Sequence, residues 1–236
     1  MAGDYPIRSA KTRGWSLAIP VLTILFTNPG IAGAPGTYRF DDEPSLLAHA
    51  MAFAPWADLM DRFALERSTT LACLEDRKNC PHYLKGYRLI VRRAQSVDDF
   101  GKLHLVNRFI NKRRWVSDDF RTDETSDDIW LTPIRFLRNG GDCEDFAVAK
   151  YFMLRDLGFK TDDLRIVISS NHKTREPHAV VAVRIGDKVL LMETDDTVRR
   201  AREHHKYSFL YSVNEKYFWD HVGVVNEATP AAIAYK

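Results

Sequence analysis

Residues 140–152 read Gly-Gly-Asp-Cys-Glu-Asp-Phe-Ala-Val-Ala-Lys-Tyr-Phe, which is the pattern of a loop that leads into an amphipathic helix. The paired glycines allow backbone conformations that other residues avoid, so the chain can turn sharply before the helix begins. The unpaired N–H groups in the first turn of a helix stabilise a thiolate, the reactive form of cysteine. Cys143 is therefore a candidate nucleophile at the beginning of a helix.

The chain has three cysteines, so at least one of them has no partner for a disulfide within the chain. If the protein is exported, Cys73 and Cys80 can close a short loop as a disulfide, because oxidising compartments favour such pairing. Cys143 then remains the free thiol. The alternative for Cys143 is a small buried hydrophobic residue, but the glycines and acidic residues around it are poor surroundings for a core position.

The amino terminus has the layout of a signal peptide, in which basic residues precede an apolar run at 15–26 and small residues follow. Residues 32–34 fit the A-x-A cleavage pattern, and cleavage directly after Ala32 is the alternative. The apolar run is shorter than the ~20 residues that a transmembrane helix needs. We therefore predict a signal peptide at 1–34 and a soluble, exported domain at 35–236.

Export also changes the charge of the chain. Removal of 1–34 takes away three basic residues and one acidic residue, so the formal net charge falls from +2 to zero. A neutral domain has little general attraction for nucleic acid, which proteins bind largely by neutralising phosphates. The basic cluster at 112–114 is interpreted as a solvated turn, and we expect no nucleic-acid partner.

The sequence changes character midway, from helical patterning to β-strand patterning. Apolar residues recur with helical spacing from Pro44 to about Asn111, whereas short β-rich runs dominate from Leu164 onward. The predicted strands cover 164–168, 179–185, 188–193 and 207–213, with a tight hairpin turn at Gly186-Asp187. We predict an α+β fold with a helical lobe at about 44–160, including the cysteine helix, and a β-rich lobe at about 161–225.

The strands supply a base and an orienting acid, the two further groups that a cysteine nucleophile usually needs. His178 stands at the entry to the first hairpin strand, where a sheet can hold the imidazole in place. Counting back from the turn places His178 opposite a residue near Asp195, with Glu193 close by on the same strand. The histidine and cysteine spacings match no zinc motif. We predict that Cys143, His178 and a carboxylate converge.

Several of these segments together resemble a known family. Residues 128–133 read Asp-Ile-Trp-Leu-Thr-Pro, and with 141–151, the His178 strand, 211–214 and 219–221 they closely resemble the bacterial transglutaminase-like cysteine proteinases. The resemblance implies a papain/transglutaminase-like fold, in which a helical N-terminal lobe carries the nucleophile helix against an antiparallel sheet. It also implies a Cys-His-Asp triad.

The resemblance places the triad, by position, on Cys143 and His178, and it leaves two candidates for the acid. Aligning the apolar residues of the strand puts Glu193 where the family has aspartate, whereas counting from His178 favours Asp195. Either carboxylate can hold the imidazole in the required tautomer, although glutamate is one methylene longer and requires a different approach.

The resemblance further implies calcium, bound by acidic residues that flank the nucleophile, here Asp142 and Glu144, with Asp145 as a third candidate. Three carboxylates around Cys143 would raise the pKa of the thiol, and a cation with oxygen ligands would offset that charge. In the alternative, Asp142 caps the helix while Glu144 and Asp145 favour its positive end, and no metal is needed.

The best-studied members of the family are LapG-like periplasmic proteases, which cleave giant surface adhesins near their amino terminus and so release cells from biofilms. A cyclic-di-GMP-sensing inner-membrane receptor sequesters these proteases. By resemblance, we expect a periplasmic, calcium-dependent cysteine endopeptidase with a large adhesin as its substrate and such a receptor as a partner. Two alternatives share the fold: an amide-transfer enzyme and a non-catalytic binding module.

Overall fold

The computed structural model describes Tyr38, Phe40 and residues 49–117, 130–203 and 207–221. The predicted signal peptide and residues 128 and 129 of the family-like segment lie outside the described residues, so these predictions are not tested by the structure. Within the ranges given above, no helix is both long enough and apolar enough to cross a membrane.

The described part of the chain before the first strand contains α1 (Ala54–Glu75), α2 (Lys85–Ala94), α3 (Asp99–Ile110), α4 (Pro133–Asn139) and α5 (Cys143–Asp156). Polar residues cap α3 and α4, because a side-chain oxygen satisfies an N–H group of the first turn. Asp98 accepts from the Gly101 N–H at 2.8 Å, and Thr132 accepts from the Arg135 N–H at 3.4 Å. The predicted helical lobe is confirmed where the structure describes it.

A disulfide joins the last turn of α1 to the loop before α2. Cys73 and Cys80, seven residues apart, form the bond, as the sequence predicts, and Cys143 is the free cysteine. The bond closes a loop that contains a short 3₁₀ turn at Arg77–Asn79. Arg88 of α2 donates to the Cys73 carbonyl at 2.6 Å, so the end of α1 is tied to α2 by a side chain as well as by the disulfide.

Six strands of the described residues form one antiparallel sheet in the order β4-β3-β2-β1-β5-β6. The strands are β1 (Leu164–Asn171), β2 (Pro177–Ile185), β3 (Lys188–Met192), β4 (Val198–Arg200), β5 (Tyr207–Val213) and β6 (Phe218–Asp220). The predicted hairpin of β2 and β3 is confirmed, with Ile185 paired to Lys188. Gly186 in its turn has a φ of 59°, a conformation that glycine adopts readily.

The sequence pattern does not predict the two short edge strands, β4 and β6. β4 lies partly in a charged run and pairs with β3 through Leu190 opposite Arg200 and Met192 opposite Val198. Strands of three residues are too short to show the alternation of apolar and polar residues by which strands are recognised. The α+β prediction itself is confirmed, because the helices precede an antiparallel sheet.

The nucleophile helix α5 packs on β1 and β2, and the main core lies between the helices and the sheet. Successive side chains of a strand point to opposite faces, so β2 contributes to two cores. Val181 packs in the main core, whereas Val180 packs in a second cluster that includes Tyr38 and Phe40. The helix that begins at Cys143 is therefore set against a strand that is packed on both of its faces.

Candidate active site

Cys143 is the first residue of α5, and two glycines allow it to lie there. Gly140 has a φ of 82°, in the left-handed region that glycine adopts without strain. A Cβ at Gly140 would collide with the Arg114 carbonyl, and a Cβ at Gly141 would collide with the Asp145 carboxylate. The Gly-Gly pair thus lets other groups approach the backbone directly before Cys143.

The segment around Trp115 holds this loop from one side. The Gly141 N–H donates to the Arg114 carbonyl at 3.2 Å, and the Val116 N–H donates to the Gly141 carbonyl at 2.9 Å. The Trp115 ring lies 5.7 Å from the ring of Phe146 on α5, although the tryptophan remains more than half exposed. Hydrogen bonds to Arg114 and Val116, the two neighbours of Trp115, therefore fix the backbone before Cys143.

Asp145 anchors the same loop from the inside. It is fully buried, its Oδ1 accepts from the Leu131 N–H at 2.6 Å, and its Oδ2 accepts from the Asp142 N–H at 3.2 Å. Asp142 and Asp145 form a capping box at the start of α5. Of the three predicted calcium ligands, Asp145 thus ties α5 to the preceding segment, whereas Asp142 and Glu144 are only partly buried.

The described residues contain no group of three His, Cys, Asp or Glu side chains arranged to hold a metal ion. The chemistry of the donors still fits calcium, because Asp142 and Glu144 offer carboxylate oxygens. Calcium also takes backbone carbonyl and water oxygens to complete six to eight ligands. A calcium ion at this loop would therefore depend on such additional oxygens.

The carboxylates act directly on the thiol of Cys143. Its S–H donates to Glu144 Oε2 at 3.0 Å. Burial raises the pKa of the thiol far above its ordinary value, and the charges of Glu144 and Asp142 raise it further. A hydrogen bond from the Ala179 backbone lowers the pKa and places the sulfur against the beginning of β2. A positive charge near Cys143 would favour its thiolate.

His178 is the second residue of β2, directly before Ala179, and its side chain is 18% exposed. Its Nε2 lies 2.7 Å from Glu193 Oε2. A carboxylate oxygen accepts hydrogen bonds, so a proton on Nε2 would face Glu193 and leave Nδ1 as the unprotonated ring nitrogen. Tyr207 stacks on the imidazole, with ring centroids 5.1 Å apart, and restrains its orientation.

The structure brings Glu193, and not Asp195, to His178. β3 ends at Met192, and the chain then turns, with the Glu193 N–H donating to the Thr197 carbonyl at 3.0 Å. Asp195 is exposed in this turn, where its Oδ1 accepts from the Thr197 N–H at 3.0 Å. Counting from His178 favours Asp195 only if β3 continues as far as residue 195, whereas β3 ends at Met192.

Three side chains from the helices contact the turn that carries Glu193, and the sequence analysis does not identify them. Lys150 of α5 is buried and donates to the Glu193 carbonyl at 2.9 Å, and Asn111 donates to the same carbonyl at 2.9 Å. Asn107 donates to the Thr197 carbonyl at 3.0 Å. A lysine within an otherwise apolar run of α5 is the signal in the sequence that indicates such a contact.

Comparisons with known proteins agree with this fold and indicate a family. A family model described as bacterial transglutaminase-like cysteine proteinase matches residues 70–227. A solved structure of LapG from Legionella pneumophila is 25% identical, with a TM-score of 0.51, over 58% of this chain and 77% of that chain. Among curated proteins, none matches the chain.

Two further structures of Legionella pneumophila LapG differ in their metal state. The calcium-bound structure has a TM-score of 0.52 at 25% identity and covers 58% of this chain and 77% of that chain. The EGTA-treated structure has a TM-score of 0.51 at 25% identity, with coverage of 58% and 75%. The family match spans more than half of the chain and includes Cys143, His178 and Glu193. This chain therefore belongs to the bacterial transglutaminase-like cysteine proteinases.

Proposed function

We propose that the protein is a cysteine endopeptidase in which Cys143, His178 and Glu193 form the catalytic triad. The observation that carries the proposal is the 2.7 Å contact between His178 Nε2 and Glu193 Oε2. His178 directly precedes Ala179, whose backbone forms a hydrogen bond with the Cys143 sulfur. A largely buried imidazole with a carboxylate on one nitrogen is an oriented base, which a cysteine nucleophile requires. Membership of a cysteine protease family also supports the proposal that the protein is a cysteine endopeptidase.

The proposed reaction is acyl transfer from the peptide to water. The Cys143 thiol gives its proton to His178 Nδ1 as the sulfur attacks the carbonyl carbon, and the imidazolium protonates the leaving amine as the C–N bond breaks. Water then attacks the thioester, and its proton passes through His178 to the sulfur as the C–S bond breaks. The Glu193 carboxylate stabilises the imidazolium.

Stabilisation of the oxyanion is proposed to come from the backbone N–H of Cys143, which lies in the first turn of α5. The first N–H groups of a helix have no carbonyl partner within the helix, and they point towards its amino-terminal end. Donors fixed before the reaction stabilise the charge that develops on the carbonyl oxygen without reorganising. The capping box and the glycine pair hold this N–H group in place.

Calcium dependence is part of the proposal. The calcium-bound structure of LapG and the negative charge around Cys143 both support it. Asp142 and Glu144 would hold the ion together with backbone carbonyl or water oxygens. When bound, calcium supplies positive charge beside the nucleophile. Asp142 and Glu144 would then raise the pKa of the Cys143 thiol less, so His178 could deprotonate it more readily.

The proposed substrate and location rest on the family and on the predicted export signal. We propose that the protease acts in the periplasm and cleaves a large surface adhesin, or another exported protein, near its amino terminus to control adhesion and biofilm formation. A cyclic-di-GMP-sensing inner-membrane receptor is the proposed regulatory partner. The disulfide between Cys73 and Cys80 supports an oxidising compartment.

The experiment is cleavage of an adhesin's amino-terminal fragment by the mature protein, with calcium and with EGTA. The wild type is compared with Cys143→Ala and His178→Ala. His172→Ala is the matched control, because His172 is an exposed histidine that contacts Ser208 at 3.1 Å. We expect cleavage by the wild type and by His172→Ala in calcium, and none by the two triad variants or in EGTA.

Cleavage by Cys143→Ala would contradict the proposed nucleophile. The two alternative functions predict other results in the same assay. An amide-transfer enzyme would attach a fluorescent amine to the fragment in a reaction that requires Cys143. A binding module would retain the fragment without cleaving it, and Cys143→Ala would retain it equally well.

A further inference from the structure

The acid turn, residues 193–197, leaves the end of β3 and carries Glu193 at its first position. The turn closes through the hydrogen bond from the Glu193 N–H to the Thr197 carbonyl, and Asp196 adopts a φ of 65°. A carboxylate at the start of a turn is less restrained by the sheet ladder than one within a strand. The position of the Glu193 side chain therefore depends on what holds the turn.

Side chains from two helices hold the acid turn. Lys150 of α5, which is 1% exposed, donates to the Glu193 carbonyl at 2.9 Å. Asn111, directly after α3, donates to that carbonyl at 2.9 Å and to Asp196 Oδ1 at 2.8 Å. Asn107 of α3 donates to the Thr197 carbonyl at 3.0 Å. The backbone of Glu193 is thus fixed from the helical side of the site.

A lysine at this position carries a cost in stability. Burial lowers the pKa of Lys150 to about 7, although the charges of Glu193, Asp195 and Asp196 raise it. An apolar side chain of similar volume is often at least as stabilising as a buried charge. The Glu193 carbonyl also has a second donor in Asn111, so the hydrogen bonding of the turn does not depend on Lys150 alone.

Resting on the proposed triad, we infer that Lys150 is a positioning residue, whose Nζ donates to the Glu193 carbonyl, fixes the Glu193 backbone and thereby sets the Glu193 carboxylate against His178. Lys150 lies about two turns after Cys143 on the same helix. A single rigid element therefore positions both the nucleophile and the acid of the triad.

The test compares Lys150→Met with Glu193→Gln and with the double variant. Methionine keeps most of the length and the apolar packing of lysine but removes the donor. Arg88→Met is the matched control, because Arg88 is another buried cation that donates to a backbone carbonyl, that of Cys73 on α1. The measurements are the rate of Cys143 labelling by iodoacetamide against pH in calcium, cleavage kinetics, and unfolding in urea. Labelling needs no substrate.

We expect Lys150→Met to fold, to label Cys143 about 10-fold more slowly at neutral pH, and to shift the labelling profile in the same direction as Glu193→Gln. The kcat for cleavage should fall while KM changes little. In the Glu193→Gln background, Lys150→Met should change either rate by less than about 2-fold, because its effect passes through the missing carboxylate. Arg88→Met should lower stability and leave the labelling profile unchanged.

Equal effects of Lys150→Met in both backgrounds, or an unchanged profile in folded Lys150→Met, would overturn the positioning role and leave the triad standing. If Glu193→Gln and His178→Ala themselves leave labelling and cleavage unchanged, the triad fails and the inference fails with it. Asn111→Ala is the second variant, in case Lys150→Met does not fold. It should shift the profile in the same direction, and an unchanged profile would count against the inference.

Discussion

Glu193 and Asp195 have the same charge and lie two residues apart, yet their surroundings give them different roles. Glu193 is 6% exposed, and its carboxylate lies against His178. Asp195 is mostly exposed. Its slight burial raises the pKa of the carboxyl, but hydrogen bonds from Thr197 outweigh this effect and lower the pKa overall. The carboxylate that orients the imidazole is therefore the one at the end of the strand, and the other stabilises the turn.

The difference between the two carboxylates predicts a difference between their amide variants. Glu193→Gln should lower kcat/KM for cleavage by about 100-fold or more, because an amide does not stabilise the imidazolium and favours the wrong tautomer. Asp195→Asn is the matched control and should stay within about 2-fold of the wild type, with a small loss of stability. Steady-state kinetics with circular dichroism on each variant provide the check. Equal losses in the two variants would contradict the assignment of Glu193.

Glu144 predicts a second effect on the nucleophile. Its carboxylate raises the pKa of the Cys143 thiol and accepts a hydrogen bond from it, so Glu144→Gln should label faster with iodoacetamide at neutral pH in EGTA. In the wild type, calcium should raise the labelling rate, and the effect should be weaker in Glu144→Gln. Glu176→Gln, an exposed glutamate that contacts Thr174, is the control and should label as the wild type does. Slower labelling of Glu144→Gln in EGTA would contradict the prediction.

At the scale of elements, α5 joins the two halves of the site. Its first residue is the proposed nucleophile, its first turn contains the Asp145 anchor, and its second half contains Lys150, which contacts the acid turn. β2 supplies His178 against the same helix end. The site therefore depends on the packing of α5 on the hairpin of β2 and β3, with further contacts from Asn107 and Asn111. Elements outside these contacts are expected to contribute mainly to stability.

The disulfide at the end of α1 is expected to contribute to stability and not to catalysis. Replacing Cys73 and Cys80 together by alanine should lower the unfolding free energy by about 2 to 3 kcal/mol, because the unfolded chain regains the entropy of a short closed loop. The kcat of cleavage should change little at temperatures where the variant is folded. Urea unfolding followed by tryptophan fluorescence measures the loss. Cys143→Ala is the control, which should abolish activity and leave stability within about 1 kcal/mol. A similar loss of stability in the control would contradict the prediction.

For the whole molecule, local patterns predict the elements, and long-range contacts decide the details of the site. The loop and helix around Cys143 and the β-rich apolar runs that flank Gly186 are visible in the sequence, because their signals lie within a few residues. The choice between Glu193 and Asp195 depends on where β3 ends, which its pairing with β2 and β4 decides. The contact of Lys150 with Glu193 joins residues 43 apart and has no local pattern that names its partner.

Lys150 also predicts how the stability of the whole molecule depends on pH. Its pKa is lowered from 10.5 to about 7 on folding, so the unfolded chain binds more protons between these values. Burial of the charged lysine therefore opposes folding fully below about pH 7, and this opposition fades as the pH rises towards 10.5. The unfolding free energy of the wild type minus that of Lys150→Met should increase with pH in this window, by at most about 1.4 kcal/mol per pH unit.

Urea unfolding of both proteins across this pH range measures the difference, and the subtraction removes groups that titrate alike in both. Arg88→Met is again the control, because arginine does not titrate in this window and its difference from the wild type should stay constant. A constant difference for Lys150→Met would mean that Lys150 keeps its ordinary pKa in the folded protein. Burying Lys150 against the Glu193 backbone would then cost little folding free energy. A lysine at this position would therefore need no catalytic role to explain it.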